Sequence, residues 1–165
     1  MKQEFYDRLA APFEASERKK NCLLRVNHIL TDVVYLIYPA LLLYLVVCRD
    51  SRFWRVLLVP AVTFVLVSLF RKKFNAPRPY EKWQVKPLIP KDTKGNSFPS
   101  RHVFSIFVIG TTIAWQCMWA AVVVWVLGIV LAVTRVAGGV HFPKDVIAGM
   151  CIGIILGAAC RFFLY

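Results

Sequence analysis

Three residues with chemically useful side chains lie close together near the end of the chain, between two long apolar runs. They are Arg135, His141 and Asp145, within Thr-Arg-Val-Ala-Gly-Gly-Val-His-Phe-Pro-Lys-Asp. Pro143 suits the first position of a helix and places Asp145 in its first turn, near the positive end of the helix dipole. From there the carboxylate can accept a hydrogen bond from one nitrogen of His141 and leave the other nitrogen free to act as a nucleophile or base. The forked guanidinium of Arg135 suits the oxygens of a phosphate.

A second polar stretch, Pro-Ser-Arg-His at residues 99–102, opens another apolar run. Ser100 is well placed as the N-cap of the helix that follows, and the first backbone N–H groups of such a helix form an anion site. His102 stands at the mouth of that site. Because a serine cap, arginines and a second histidine share its membrane depth, we favour a functional role for His102 over a structural one.

A basic segment with Arg71, Lys72 and Arg78 ends an earlier apolar run. A basic run after an apolar helix is usually a stop signal or an anchor at the lipid surface. Arg78 differs because Pro77 and Pro79 flank it, and their rings stiffen the backbone and disfavour helix. We therefore predict that its guanidinium is held in a defined place.

The spacing of His141 and Asp145 also occurs at His28 and Asp32, where an earlier apolar run begins. No arginine or phosphate-binding segment accompanies that second pair. We interpret it as an interfacial polar pair without catalytic function.

The composition of the chain is that of a membrane protein. Its 165 residues are 58% hydrophobic, and their mean hydropathy is +0.57. A membrane span needs roughly 20 mostly apolar residues, and there are five candidates, at residues 29–48, 53–70, 103–118, 119–136 and 146–163. We predict an all-α transmembrane bundle of about five helices over residues 29–165, preceded by an amphipathic interfacial segment at residues 1–28.

Charge and cysteine content exclude several other classes of protein. The 21 Lys and Arg outnumber the 9 Asp and Glu, a balance that suits anionic lipid head groups. No basic helix or aromatic RNA-binding pattern accompanies this charge, so we expect no nucleic acid partner. Five cysteines without paired spacing argue against a disulfide framework and a zinc site. We expect no metal and no cofactor, because Asp145 is the one acid within the three motif segments.

Tracing the predicted crossings brings the motif segments together. The N-terminus, residues 71–102 and residues 135–145 emerge on one side of the membrane. The turns at residues 48–52 and 116–119 and the C-terminus emerge on the other side. The three motif segments can therefore converge on one interfacial pocket. The last run also carries Gly149, Gly153 and Gly157, a small-residue stripe that predicts close packing against another helix.

The three segments together resemble the signatures of the type 2 phosphatidic acid phosphatase superfamily, which are Lys-x6-Arg-Pro, Pro-Ser-Gly-His and Ser-Arg-x5-His-x3-Asp. The match covers residues 71–145 in the right order and loop context. At the strict spacing Arg71 stands at the lysine of the first signature, with Lys72 one residue off, and either can fill that role. Arg101 replaces the glycine of the second signature, and Thr134 replaces the serine of the third.

The resemblance implies a metal-independent phosphoryl transfer in two steps. His141, oriented by Asp145, attacks phosphorus and forms a phosphohistidine, His102 protonates the leaving oxygen, and water then hydrolyses the intermediate. The implied phosphate-binding residues are Arg71 or Lys72, Arg78, Ser100, Arg101 and Arg135.

The resemblance also suggests the substrate, which is undecaprenyl pyrophosphate, phosphatidylglycerol phosphate or phosphatidate. All but four of the 21 Lys and Arg lie on the motif side, which favours a cytoplasmic site by the positive-inside rule. Many family members that act on polyprenyl pyrophosphate face outward, so the side stays open.

Two other functions are compatible with the same residues. One is a non-catalytic membrane protein that binds or moves phosphorylated lipids, which needs no nucleophile. The other is a phosphotransferase that passes phosphate to a second lipid instead of water. No secretory signal precedes the first apolar run, so we expect that run to act as its own insertion signal. We expect a multi-pass protein of a bacterial plasma membrane.

Overall fold

The computed structural model describes residues 3–83 and 86–163, with side chains as far as residue 159, and these residues form helices and loops without a strand. The helices are α1 (Gln3–Glu14), α2 (Glu17–Val47), α3 (Phe53–Phe74), α4 (Pro79–Trp83), α5 (Arg101–Ala114), α6 (Met118–Ala137) and α7 (Pro143–Phe163). The predicted all-α bundle is confirmed. Arg161, one of the four cations assigned to the far side, lies outside the described side chains.

The N-terminal segment, predicted to be interfacial, contains α1 and the first part of α2. The helix α1 continues through Pro12, and α2 begins at Glu17 and runs without a break past residue 28. The proposed division at residue 28 therefore falls inside a helix. The face of α1 that packs on the protein carries Tyr6 and Ala10, both buried, while Phe5 stays exposed.

Three helical stretches are long and apolar enough to cross a membrane, judged by length and hydropathy over the described residues. They are Glu17–Val47, Phe53–Trp83 and Met118–Ala137. The helices α2 and α3 expose many large apolar side chains, among them Leu36, Val47 and Leu69. Such surfaces are unfavourable in water and are expected where a helix faces lipid.

The helix α5 occupies the centre of the bundle and is shorter than predicted. It ends at Ala114 rather than Met118, and its length of roughly 21 Å is less than the hydrocarbon thickness of about 30 Å. Every residue from Val103 to Ile113 except Ser105 is buried. An apolar helix that is covered on all sides belongs to the core, so α5 positions the site from inside the bundle. The prediction of five spans remains untested for α5 and α7.

The glycine stripe of α7 packs against α5, as the sequence predicts. A Cβ at Gly149 would lie 2.7 Å from the carbonyl oxygen of Ser100, and one at Gly153 would lie 2.8 Å from that of Phe104. Real Cβ atoms do not approach backbone oxygen so closely, so glycine allows this separation of the two helices. The packing places the start of α7, with Asp145, beside the start of α5.

The turns between the helices at the other end of the bundle also meet. Arg52, Gln116 and Gly157 line one small cavity, so the α2–α3 turn, the α5–α6 turn and the C-terminal part of α7 lie at the same end. This arrangement agrees with the predicted crossings and leaves the three motif segments at the opposite end.

The Gly138-Gly139 pair forms a tight turn that holds the long loop before α5. Gly139 has φ +73°, a conformation that favours glycine. A Cβ on Gly138 would lie 2.4 Å from the side chain of Ile89, and the Gly138 carbonyl accepts hydrogen bonds from the N–H groups of Leu88 and Ile89. The pair therefore brings the 86–100 loop over the site.

Candidate active site

The three motif segments converge on one cavity of about 370 Å³, which we call the cationic cavity. Its walls come from α3, α5, α6, the residue before α4, the 91–96 loop and the loop before α7. The predicted site residues among its lining are Arg71, Lys72, Arg78, Arg101, His102, Arg135 and His141. The structure thus brings together both histidines and the motif cations.

His141 lies at the bottom of this cavity with its Nδ1 atom turned towards Asp145. The Nδ1 atom is 3.6 Å from Asp145 Oδ2, and both side chains are almost fully buried. The separation is longer than the direct hydrogen bond that we predicted. The Oδ2 atom instead accepts hydrogen bonds from the Ser97 hydroxyl at 2.5 Å and the Phe142 N–H at 3.1 Å.

Ser97 is therefore a member of the site that the motif spacing did not reveal. Its hydroxyl lies 3.4 Å from His141 Nδ1 as well as on Asp145, and the residue is fully buried. The donor to Asp145 is fixed by chemistry, since an ionised carboxylate can only accept. Ser97 holds the carboxylate in place beside the imidazole, which leaves His141 Nε2 as the nitrogen available to a substrate.

Replacing Ser97 with alanine is expected to lower kcat/KM by about 10- to 100-fold, because a hydrogen bond to a charged group is worth about 1.5–3 kcal/mol. Steady-state phosphate release from a lipid phosphate measures the effect. Ser51→Ala is the control, since Ser51 is an exposed turn residue at the other end of the bundle. Equal activity of the two variants would show that Asp145 needs no support from Ser97.

Arg71 and Lys72, the two candidates for the lysine of the first signature, differ in burial and in their contacts. Arg71 is buried, and its guanidinium donates to the carbonyl oxygens of Pro99 and Asn96. Lys72 also lines the cavity but is exposed. Arg71, which stands at the strict spacing, is thus held rigidly in the wall of the cavity. Its hydrogen bonds connect α3 to the loop that carries Ser97.

Arg78 is fixed in place as its two flanking prolines predict. The residue is 4% exposed, and its guanidinium donates to the carbonyl oxygens of Gly95 and Val140 at 3.0 and 3.1 Å. Glu81 reinforces the arrangement by accepting hydrogen bonds from the N–H groups of Arg78 and Gly95. Arg78 thereby connects the 91–96 loop to the segment that carries His141.

The remaining predicted residues occupy different parts of the wall. Arg135 is buried and donates to the Thr31 hydroxyl of α2 at 3.2 Å. His102 lies one residue into α5, and Arg101 beside it is exposed. Ser100 is the N-cap of α5, as predicted, but it makes no side-chain cap. It is fully buried, and its hydroxyl has no hydrogen-bond partner among the described residues.

Tyr6 is a second contributor that the motifs did not reveal. Its hydroxyl donates to the carbonyl oxygen of His141 at 3.0 Å, and its ring packs against Trp83 and Phe142. Trp83 is half-buried in this aromatic cluster. The cluster joins α1 and α4 to the backbone of the segment that carries His141.

The surroundings of His141 favour its neutral form. Burial lowers the pKa of the imidazole from 6.5 to about 4, with Arg78 and Arg71 acting in the same direction and Asp145 opposing them. A neutral imidazole at physiological pH keeps a lone pair on Nε2 for nucleophilic attack. Between pH 6.5 and about 4, this imidazole binds a proton in the unfolded chain but not in the folded chain. The free energy of unfolding therefore decreases as pH falls through that window.

This pKa can be measured directly because the chain has three histidines. We expect the double variant His28→Ala, His102→Ala, in which His141 is the remaining histidine, to show an imidazole NMR titration with a midpoint near pH 4. The acid limb of kcat/KM for the wild type should likewise lie well below pH 6.5. A midpoint near 6.5 would contradict the buried, neutral His141.

A family comparison agrees with the motifs. The family model described as the PAP2 superfamily matches residues 52–164. A relative, YbjG of Escherichia coli (strain K12), is 38% identical over 61 residues, which make up 36% of this chain and 31% of that protein. Its name describes a predicted undecaprenyl-diphosphatase. The chain thus matches about a third of the length of this curated relative.

Solved structures share the fold over nearly the whole chain. LpxE of Aquifex aeolicus superposes with a TM-score of 0.76 at 24% identity, covering 98% of this chain and 94% of that one. The PAP2 type phosphatidylglycerolphosphate phosphatase of Bacillus subtilis superposes with a TM-score of 0.64 at 22% identity, covering 96% of this chain and 92% of that one. Since the family model spans most of the chain and includes all three motif segments, the protein belongs to the PAP2 superfamily.

Proposed function

We propose that this protein hydrolyses a phosphate from a lipid phosphate through a phosphohistidine on His141, without a metal ion. The observation that carries the proposal is the pairing of a buried imidazole with Ser97 and Asp145 at the bottom of the cationic cavity. The chain belongs to the PAP2 superfamily and has helices long and apolar enough to cross a membrane. These two findings support the class of protein proposed, a membrane lipid phosphatase. The substrates under consideration are undecaprenyl pyrophosphate, phosphatidylglycerol phosphate and phosphatidate.

In the first step, His141 Nε2 attacks phosphorus and an N–P bond forms while the P–O bond to the lipid breaks. Asp145, aligned by Ser97, favours the proton on Nδ1 and the positive charge that develops on the ring. His102 gives its proton to the leaving oxygen, so the lipid product departs neutral at that atom. Burial and the neighbouring cations, Arg135 first among them, lower the pKa of His102, and the negative charge of the bound phosphate opposes this and favours the protonated form before the reaction.

In the second step, water attacks the phosphohistidine and the N–P bond breaks. His102, now neutral, takes a proton from that water, which returns both histidines to their starting states and releases inorganic phosphate. The equatorial oxygens would be held by Arg71, Arg78 and Arg135, whose guanidinium groups are already fixed by backbone carbonyls or by Thr31. Fixed cations stabilise the transition state without reorganising.

The lining of the cavity also supports chemistry that needs no metal. Its cationic side chains are donors that bind anionic oxygens and repel a metal cation. Ser100 contributes through its place at the start of α5, where the following N–H groups face an anion. Because its hydroxyl is buried, we propose that these N–H groups, rather than the hydroxyl, contact the phosphate.

The test is phosphate release by protein purified in detergent, with EDTA present, from the three candidate lipids. We expect release from at least one of them at a rate that chelation does not change. Loss of activity on chelation would overturn the metal-independent mechanism. Labelled phosphate that appears on an acceptor lipid would identify a phosphotransferase, and absence of any turnover would favour a lipid-binding or transport protein.

A further inference from the structure

Arg101, which replaces the glycine of the second signature, occupies a junction between two cavities. Its guanidinium carbon lies 5.2 Å from the centre of the Phe64 ring on α3. Arg101 and His102 line both the cationic cavity and a cleft of about 50 Å³ between α2, α3, α5 and α6. The side chain is exposed, so its charge is available to a ligand.

The cleft leads from His102 towards the lipid-facing surface. Its wall includes Tyr35 of α2 and Phe64 of α3, which are 67% and 39% exposed. In the proposed reaction His102 protonates the leaving oxygen, so the lipid part of the substrate lies on the His102 side of the transferred phosphorus. The next group along the substrate therefore lies beside Arg101.

The chemistry of that next group separates the candidate substrates. In phosphatidate the atom after the leaving oxygen is carbon, which offers no anionic oxygen for a guanidinium to bind. In a lipid diphosphate it is a second phosphorus with anionic oxygens, which a guanidinium binds by charge-assisted hydrogen bonds. Glycine at this position would supply a backbone N–H but no charge.

The charge of the cationic cavity also favours a lipid diphosphate as the substrate. Seven Arg and Lys side chains line it, and the described residues contribute no carboxylate to that lining. Burial, and after it the repulsion of four neighbouring arginines with Arg101 among them, lowers the pKa of Lys91. A diphosphate relieves more of this repulsion than a monoester because it carries more negative charge.

We propose that Arg101 is a specificity-determining residue that binds the second phosphoryl group of a lipid diphosphate and directs the protein to diphosphates over monophosphates. The inference rests on the proposed function. His141 attacks the terminal phosphorus, the bond from that phosphorus to the bridging oxygen breaks, and His102 protonates the bridging oxygen. The products are a lipid monophosphate and, after hydrolysis of the phosphohistidine, inorganic phosphate.

The test compares farnesyl diphosphate with farnesyl monophosphate, which share one tail, in wild type, Arg101→Gly and Arg101→Lys. We expect wild type to prefer the diphosphate. Arg101→Gly should lower the ratio of kcat/KM values, diphosphate over monophosphate, by at least about tenfold, since a charge-assisted hydrogen bond is worth about 1.5–3 kcal/mol. Arg101→Lys keeps the charge and should retain part of the preference. Arg18→Ala, which removes an exposed arginine of α2, is the control.

Three results would overturn this inference. An unchanged ratio, or equal losses on both substrates in both Arg101 variants, would assign Arg101 a general role in structure or binding. A selective loss on phosphatidylglycerol phosphate, tested alongside, would assign the guanidinium to a phosphodiester farther along the substrate. If wild type releases phosphate from none of these lipids, the proposed function itself fails, and this outcome is distinct from the other two.

Discussion

Replacing His141 with alanine is expected to reduce phosphate release by at least about 10⁴-fold, the scale of loss when a covalent catalyst loses its nucleophile. The reason is that the His141 imidazole is the proposed acceptor of the phosphoryl group, and it lies against both Ser97 and Asp145. Alanine has no atom that can take its place. Brief mixing with radiolabelled substrate should trap a labelled protein in wild type that is labile to acid and stable to alkali, as a phosphorus–nitrogen bond is. The His141→Ala variant should trap none.

His28 provides a matched control within the same chain. Its Nε2 atom lies 3.4 Å from Asp32 Oδ2 with the same sequence spacing, but its side chain is 81% exposed. The variant His28→Ala should therefore retain wild-type activity and wild-type labelling. Equal losses in the two variants, or labelling that persists without His141, would remove His141 from the nucleophile role.

Replacing His102 with alanine should have the second largest effect, a loss of about 10²- to 10⁴-fold on an alkyl phosphate such as phosphatidate. A departing alkoxide is a strong base and needs a proton as the P–O bond breaks. The loss should shrink to a few-fold with p-nitrophenyl phosphate, because its leaving group is stable without protonation. The diagnostic quantity is the fold-loss of kcat/KM on phosphatidate divided by the fold-loss of kcat/KM on p-nitrophenyl phosphate.

The leaving-group comparison separates acid catalysis from a structural defect. A His102→Ala protein that is misfolded, or that binds phosphate poorly, should lose activity equally on both substrates. Such equal losses would contradict the general-acid role of His102. A Ser97→Ala variant should lose activity on both substrates, since Ser97 contacts the nucleophile pair and not the leaving group.

The site combines two electrostatic demands that the fold meets by different means. His141 must stay neutral, and burial among arginines achieves this. In the proposed reaction the phosphate needs several cations together, and backbone carbonyls hold Arg71 and Arg78 against their mutual repulsion. Both demands rely on the loops around Asn96 and Val140, so loop geometry and catalysis are coupled.

The sequence by itself determined the class of protein, the motif residues and their common side. Several long apolar runs predicted a membrane protein, and each predicted crossing reverses the side on which the next loop emerges. Counting crossings was therefore enough to bring residues 71–78, 99–102 and 135–145 to one end. Local spacing likewise placed Asp145 near His141, because Asp145 lies in the first turn of α7 and His141 lies two residues before that helix begins.

Only the tertiary structure decided how these residues are held. Ser97 lies 48 residues from Asp145, and Tyr6 lies 135 residues from His141, so no local periodicity connects them. Their contacts arise because α7 packs on α5 through glycines and α1 docks beside α4 and the nucleophile segment. The burial of the Ser100 hydroxyl, and of Arg71 rather than Lys72, depends on the same packing. Motif spacing reports neighbours along one element, whereas side-chain partners across elements are set by how closely the helices approach.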